Sequence, residues 1–376
     1  MTTIELNSVA LPAGSSIKRQ LRRPVPVERK ALYENGQLGV YDSYTLLYDI
    51  FLDTDNRTIR AIGPPLLNLG QALLPAYLQV NGHKLPLTLR TSHKKLVILE
   101  AVSPAPISSN TTADLHLANG QHQTITLATA PLPEGPSLVT VQKNNKLQWI
   151  IDWISYYKNE FGIQHVYIYD NNSDNQDYLL KSLEGLATVM PWNFPHGISH
   201  RSGNKFCQVG ALNHFKYRLG KNTSIFNFDI DELLVCRNQQ IKQSLCNGKM
   251  TRFNSYTVPF TATPDPEYSF RDFRFREKEP RDKATKYVVN GGLPGVMNVH
   301  HFNPALRFWQ KLLPGYRRPP AAVPLADAYF LHYQGITTNW KIHNADRLEA
   351  IDLSENMYVE DTAVIDVFSH IPRNRQ

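Results

Sequence analysis

Cysteine is scarce in this 376-residue chain: Cys207, Cys236 and Cys246 are an odd number, and no two form a C-x-x-C pair. That excludes a disulfide scaffold and a zinc knuckle, and leaves buried free thiols as the expectation. Long apolar runs are missing too, since none approaches the roughly 20 residues that span a bilayer. The opening Met1-Thr-Thr-Ile-Glu-Leu-Asn has neither the basic start nor the apolar core of a secretory signal. A soluble cytoplasmic protein is therefore expected, and sequons such as Asn110-Thr-Thr carry no weight. No G-x-x-x-x-G-K-[ST] phosphate loop, G-x-G-x-x-G fingerprint or G-x-S-x-G elbow occurs. Their absence counts against P-loop NTPases, dinucleotide enzymes and serine hydrolases.

What is present is ordinary in bulk and uneven in detail. Hydrophobic residues make up 42% and charged residues 19%, which argues against wholesale disorder. The length exceeds what one core usually serves, so two domains are expected. The formal charge is +7, with Lys18, Arg19, Arg22, Arg23, Arg29 and Lys30 clustered near the start, Arg317 and Arg318 later, and Arg373 and Arg375 at the end. Such segments suit an anionic membrane surface or a phosphate-bearing substrate, or are simply solvated. They are not interleaved with aromatics and no helix-turn-helix or RNA-binding signature accompanies them, so nucleic acid is not an expected partner. Peripheral contact with the inner membrane is.

Three regions differ in grammar. Residues 1–30 read as a basic tail. Residues 31–133 read as short strands: Ser43-Tyr-Thr-Leu-Leu-Tyr-Asp-Ile-Phe-Leu ending at Asp53-Thr-Asp-Asn, then Tyr77-Leu-Gln-Val with a hairpin signal at Asn81-Gly82, then Lys94-Lys-Leu-Val-Ile-Leu and Gln123-Thr-Ile-Thr-Leu. Close spacing with almost no helical periodicity predicts a small all-β, sandwich-like domain. Pro131-Leu-Pro-Glu-Gly-Pro136 is the linker to a third region, 137–376. Here strands at Leu138, His165, Ala187 and Ser224 alternate with helical stretches, one of them Lys205–Leu219. That predicts a Rossmann-like α/β domain with a mainly parallel sheet, whose ligands bind beyond the carboxyl ends of the strands.

The chemistry expected at those ends centres on Asp229-Ile-Asp231. Two carboxylates two residues apart after an apolar strand can hold Mn²⁺ or Mg²⁺ and share it with a substrate's phosphates. A nucleotide-sugar needs such an ion because charge grows on its diphosphate leaving group. Taken alone, D-x-D is as readily a solvated turn. A third ligand is expected at His332, delivered by Tyr329-Phe-Leu into a loop where Gly335 lets backbone amides approach a diphosphate and Lys341 adds charge; His300 is the runner-up. A hydrogen-bonded core histidine is the plain alternative. Asp170, Asn171 and Ser173 close the second strand and suit a ribose or base, or an Asx-type turn. Lys143 and Asn144 follow the first strand, and Gln208 and Asn213 lie on the helix before the fourth. Asp231 and Glu232 are the expected catalytic residues; Glu232, Asp265, Glu267, Asp272 and Asp327 are left open as a base, with a salt-bridging structural role the plain alternative for Glu232.

Trp149-Ile-Ile-Asp-Trp153, Tyr156-Tyr157, Gly162, His165-Val-Tyr-Ile-Tyr-Asp-Asn171, Ser173, Gln208, Asn213, Phe228-Asp-Ile-Asp-Glu-Leu233, Lys286-Tyr-Val-Val, Val299-His300 and Leu331-His332-Tyr333 follow one another in an order that resembles glycosyltransferase family 92, in its bacterial relatives. The resemblance covers about residues 138–345. It implies a GT-A fold, a UDP-sugar donor (usually galactose), Mn²⁺, and inversion at the anomeric carbon. His332-Tyr-Gln-Gly335 with Trp340 is separately similar to the metal-binding loop of retaining glycogenin-like families. Family members often carry an acidic residue where this chain has Lys143-Asn-Asn-Lys. The expectation is a transferase acting on a glycan or lipid-linked glycan in capsule or lipopolysaccharide synthesis. The rivals are a nucleotidyltransferase and a glycan-binding protein with an inactive transferase domain.

Overall fold

A computed structural model describes residues 4–36, 40–198, 204–246, 250–261, 267–305, 321–338, 350–351, 353 and 357–372. The chain divides into two compact units: Thr2–Leu132 with Asn193–Leu219, and Pro133–Trp192 with Gly220–Gln376.

In the first unit, β1 (Asp49–Leu52), β2 (Thr58–Gly63), β3 (Ala76–Val80), β4 (His83–His93), β5 (Leu96–Val102), β6 (Thr111–His116) and β7 (His122–Leu127) form one antiparallel sheet ordered β1-β2-β5-β4-β3-β6-β7. Alternation sets its inner face: Ala113, Leu115, Ile125 and Leu127 are buried while their neighbours face outward. The Asn81-Gly82 turn has positive φ at both residues, 49° and 78°, as a two-residue hairpin requires. Strand β4 does the bending. Its first half pairs with β3 and its second with β5, and the register slips between Leu89 and Thr91. The sheet curls until the Leu52 amide donates to Ala128 O at 3.3 Å, just past β7. The all-β expectation holds, but as a near-barrel and not a two-sheet sandwich, because strand alternation is the same in both.

The segment expected to be a basic tail is partly built in. Val9–Ala10 pairs with Thr45–Leu47. Arg19 is buried, donating to Pro65 O at 2.9 Å and to the Asp42 and Thr45 carbonyls, with an ion pair to Asp42 at 3.3 Å. The helix Cys207–Arg218 also belongs to this unit, so the grouping departs by one segment from a division at the proline-rich linker. All its residues except Tyr217 are buried, and His214 and Arg218 meet Asp49 at 2.9 and 2.6 Å.

In the second unit, β8 (Ser137–Gln142), β9 (His165–Asp170), β10 (Thr188–Pro191), β11 (Ser224–Asn227), β12 (Glu232–Cys236), β13 (Met250–Val258), β14 (Arg281–Asn290) and β15 (Ala328–Tyr333) form a sheet ordered β10-β9-β8-β11-β14-β13-β15-β12. The first four are parallel, as expected. Beyond β11 the sheet is mixed: β14 runs antiparallel to β11 and β13, and β12 antiparallel to β15. The mainly parallel expectation therefore covers half of it.

Two helices make the crossovers, α1 (Leu147–Phe161) and α2 (Gln176–Ser182). In α1, Trp149, Ile150, Trp153, Ile154, Tyr157 and Phe161 recur at helical spacing and are buried. Gly162 ends it at φ +60°, where its amide caps Lys158 O.

Candidate active site

The edge strand β12 is where the site is built, and an edge strand leaves backbone groups unpaired. Two phenols of α1 take that role: Tyr157 donates to Glu232 O and accepts from Leu234 N, both at 3.1 Å, and Tyr156 donates to Leu234 O at 2.8 Å. Phe228, between β11 and the acidic turn, is buried against Tyr157 and Phe330, with ring centroids 5.5 and 5.9 Å away. The turn Asp229–Glu232 is thus gripped at both ends.

Within the turn, Glu232 N donates to Asp229 O at 3.0 Å and Asp229 N donates to Glu232 Oε2 at 2.8 Å. Lys286, from β14, places Nζ 2.9 Å from Asp229 Oδ2 and 3.0 Å from Glu232 Oε2. Its side chain is 0% exposed, against 28% for Asp229. Burial pulls the Lys286 pKa down, but Asp229 and Glu232 outweigh it and hold the ammonium charged, its pKa raised. Burial pushes the Glu232 carboxyl up to about 7, with Lys286 opposing and Asp229 and Asp231 adding to the rise.

His332 sits across from Glu232 in the β12–β15 ladder, and its Nε2 lies 3.2 Å from Asp231 Oδ2. One ligand atom from each of Asp231, Glu232 and His332 falls within 4.8 Å of the others, the one such group of three or more among the described residues. Two carboxylates and an imidazole fit a divalent ion of the Mn²⁺ type, which accepts both oxygen and imidazole ligands. Asp231 and His332 are partly exposed, at 21% and 17%, so an ion can reach them.

The sequence profile of glycosyltransferase family 92 matches residues 139–365, more than half of the chain and all of this site. The chain belongs to glycosyltransferase family 92. Sugar transfer from a donor to an acceptor follows from that membership. No curated protein matches the transferase. Among solved structures it is similar over short stretches to a pullulanase from Anoxybacillus sp. LM18-11 (16% identity, 22% of this chain and 12% of that one, TM-score 0.18). A type I pullulanase from Bacillus subtilis str. 168, complexed with maltose, matches similarly (14% identity, 23% and 14%, TM-score 0.17). The transferase spans so little of those chains that neither bears on its fold or chemistry.

The other expected site residues of the transferase are placed as follows. Asp170 is fully buried: Oδ1 accepts from Ser173 Oγ at 2.6 Å and from Gln142, and Oδ2 from Ser173 N at 3.0 Å and Gln176 Nε2 at 2.5 Å. Asn171 donates to Trp192 O at 2.8 Å. Asn144, at φ +56°, donates Nδ2 to Asp174 and its backbone amide to Ser173 Oγ. These groups latch the ends of β8, β9 and β10 together, and Lys143 is half-buried beside them. Gln208 and Asn213 are buried in the helix of the first unit, Asn213 donating to Val209 O at 2.7 Å.

His300, the alternative ligand, is exposed on a hairpin tip with Nδ1 3.3 Å from Thr285 O, outside the three-residue cluster. Gly335 lies where a Cβ would come within 2.7 Å of Phe260 and 2.8 Å of Phe273, so close packing already demands glycine there. Lys341 and Asp265 lie outside the described residues. Of the remaining acids considered as bases, Glu267 is paired with Lys146 at 3.7 Å, Asp272 closes a capping box with Ser269, and Asp327 accepts from Asn238. Lys286 had no role assigned from sequence, though a lysine at the head of Tyr-Val-Val in a buried strand signals a partnered charge.

Proposed function

We propose that this family-92 transferase has a GT-A catalytic domain and moves a hexose, galactose foremost, from a UDP-sugar to a glycan acceptor with inversion, using Mn²⁺. The observation that carries this is the convergence of Asp231, Glu232 and His332 where β12 begins and β15 ends. Asp231 and His332, both partly exposed, would hold the ion, with the buried Glu232 next to them. Bound there, Mn²⁺ would supply Lewis-acid stabilisation of the departing diphosphate. Asp229, steered by Lys286 and by the carboxylate of Glu232, faces the donor. Because Glu232 Oε2 already accepts the Asp229 amide and pairs with Lys286, its part is to shape the turn, not to deprotonate the acceptor.

The acceptor we propose is a lipid-linked or capsular glycan at the cytoplasmic membrane face, approached through Lys18, Arg22, Arg23, Arg29 and Lys30; Arg19, being buried, takes no part. Sedimentation with anionic vesicles at low salt, lost at high salt and with neutral vesicles, is the expected result. Equal behaviour with both vesicle types would end that part.

The enzyme class is tested by UDP release from a panel of UDP-sugars, with Mn²⁺ and with EDTA. Slow, metal-dependent release that prefers one sugar is expected even without acceptor. Pyrophosphate release from a nucleoside triphosphate would instead make the protein a nucleotidyltransferase.

A further inference from the structure

Under the acidic turn lies a charge that metal binding alone does not explain. Asp229, Asp231 and Glu232 bring three carboxylates to one turn, and a divalent ion is drawn to such a cluster by its charge. Lys286 reaches it from β14 with a fully buried Nζ, 2.9 Å from Asp229 and 3.0 Å from Glu232. Water and salt screen a buried ammonium far less than an exposed one, so its charge is still felt at the neighbouring site. It does two things. It satisfies the Asp229 and Glu232 carboxylates in the absence of an ion, and it repels any ion placed beside them.

We propose that Lys286 is a positioning residue and resident counter-cation that keeps the Asp231–His332 site weak for the bare metal, so that the ion is held firmly only together with a nucleotide diphosphate. The inference rests on the metal assignment made above. In the ion's absence Lys286 holds the Asp229–Glu232 turn in its working shape. When a diphosphate arrives, its negative charge offsets the repulsion between ammonium and metal. The site is thereby organised before either ligand binds and does not fill with metal on its own.

The test is Mn²⁺ titration of the full chain, followed by electron paramagnetic resonance, with and without UDP, in wild type, Lys286→Gln and Lys286→Arg. Wild type should bind Mn²⁺ alone with a dissociation constant of about a millimolar or weaker, and far more tightly with UDP present. Lys286→Gln should bind Mn²⁺ alone at least about tenfold more tightly, since a buried like charge has been removed. Its melting temperature should then rise with Mn²⁺ without nucleotide, as binding to the folded state demands. Lys286→Arg, which keeps the charge, should stay close to wild type. A merely structural lysine would lower stability in both variants and leave free-metal affinity unchanged or weaker, and that result overturns the proposal. Should Lys286→Gln fail to fold, the wild-type titration decides: tight Mn²⁺ binding without UDP, at about ten micromolar or below, overturns it as well. Absence of UDP binding under any metal condition counts against the donor assignment and leaves the free-metal comparison to decide the role of Lys286.

Discussion

At the Asp229–Glu232 turn, three carboxylates crowd round one buried ammonium, and which oxygen faces which partner decides what each can do. Glu232 Oε2 accepts an amide and meets Lys286, whereas Asp231 and His332 stay partly exposed with their ligand atoms close together. Asp231→Asn and His332→Ala should therefore each cost more than ~100-fold in metal-dependent turnover, beyond the 10–100-fold typical of outer-shell partners. Thermal melts should show both folded, and near-wild-type turnover in either would refute the ligand set. An apolar strand ending in histidine and a glycine loop make His332 a candidate from sequence, and the structure places it beside Asp231. The contribution of Lys286 was not identifiable from sequence, since its partners come from an element more than fifty residues away along the chain.

Elements hold these side chains by packing as much as by hydrogen bonds. The Tyr156–Tyr157 pair of α1 closes the unpaired edge of β12 through three hydrogen bonds, and the helix that carries it was plain from its apolar spacing and its Gly162 stop. After β15, Gly335 fits against Phe260 and Phe273, and Tyr268 donates to its carbonyl at 3.1 Å. Gly335→Ala should destabilise the second unit by about 1–3 kcal/mol through overpacking, read as a lowered melting midpoint. An unchanged midpoint would show that the rings yield freely. The sequence attributed this glycine to phosphate approach, because a ring neighbour distant in sequence leaves no local signal. Strands β12 to β15 were hard to order for the same reason. Their pairings are long-range, while β8 to β11 announce themselves through alternating helices.

On the scale of the whole molecule, the chain weaves: the segment Asn193–Leu219 groups with the first unit although it falls between strands of the second. Composition marks the proline-rich linker, but no local feature marks a return. In the structure the segment's helix is buried on nearly every side, which a surface crossover would not be. It brings His214 and Arg218 to Asp49, and this buried cluster is expected to make the first unit acid-sensitive. Burial would raise Asp49, but Arg218 and His214 reverse that and its pKa is lowered; burial lowers His214 despite Asp49. Both folded pKa values lie below their unfolded ones, so the unfolded chain binds more protons as pH falls. Stability is then lost first below about pH 6.5 as His214 titrates in the unfolded chain, by at most about 1.4 kcal/mol per pH unit, and further through the carboxylate range. Urea melts from pH 7 to 5 should show that slope, and His214→Gln should flatten it. A slope unchanged in the variant would place the acid sensitivity elsewhere.

The central claim, that Asp231 and His332 make a metal-dependent nucleotide-sugar site in a family-92 transferase, meets its most direct test in calorimetric titration of UDP into the full chain with Mn²⁺ and with EDTA. Saturable one-site binding that needs Mn²⁺ is the predicted result. Equal UDP binding with EDTA, or none in either condition, would contradict it.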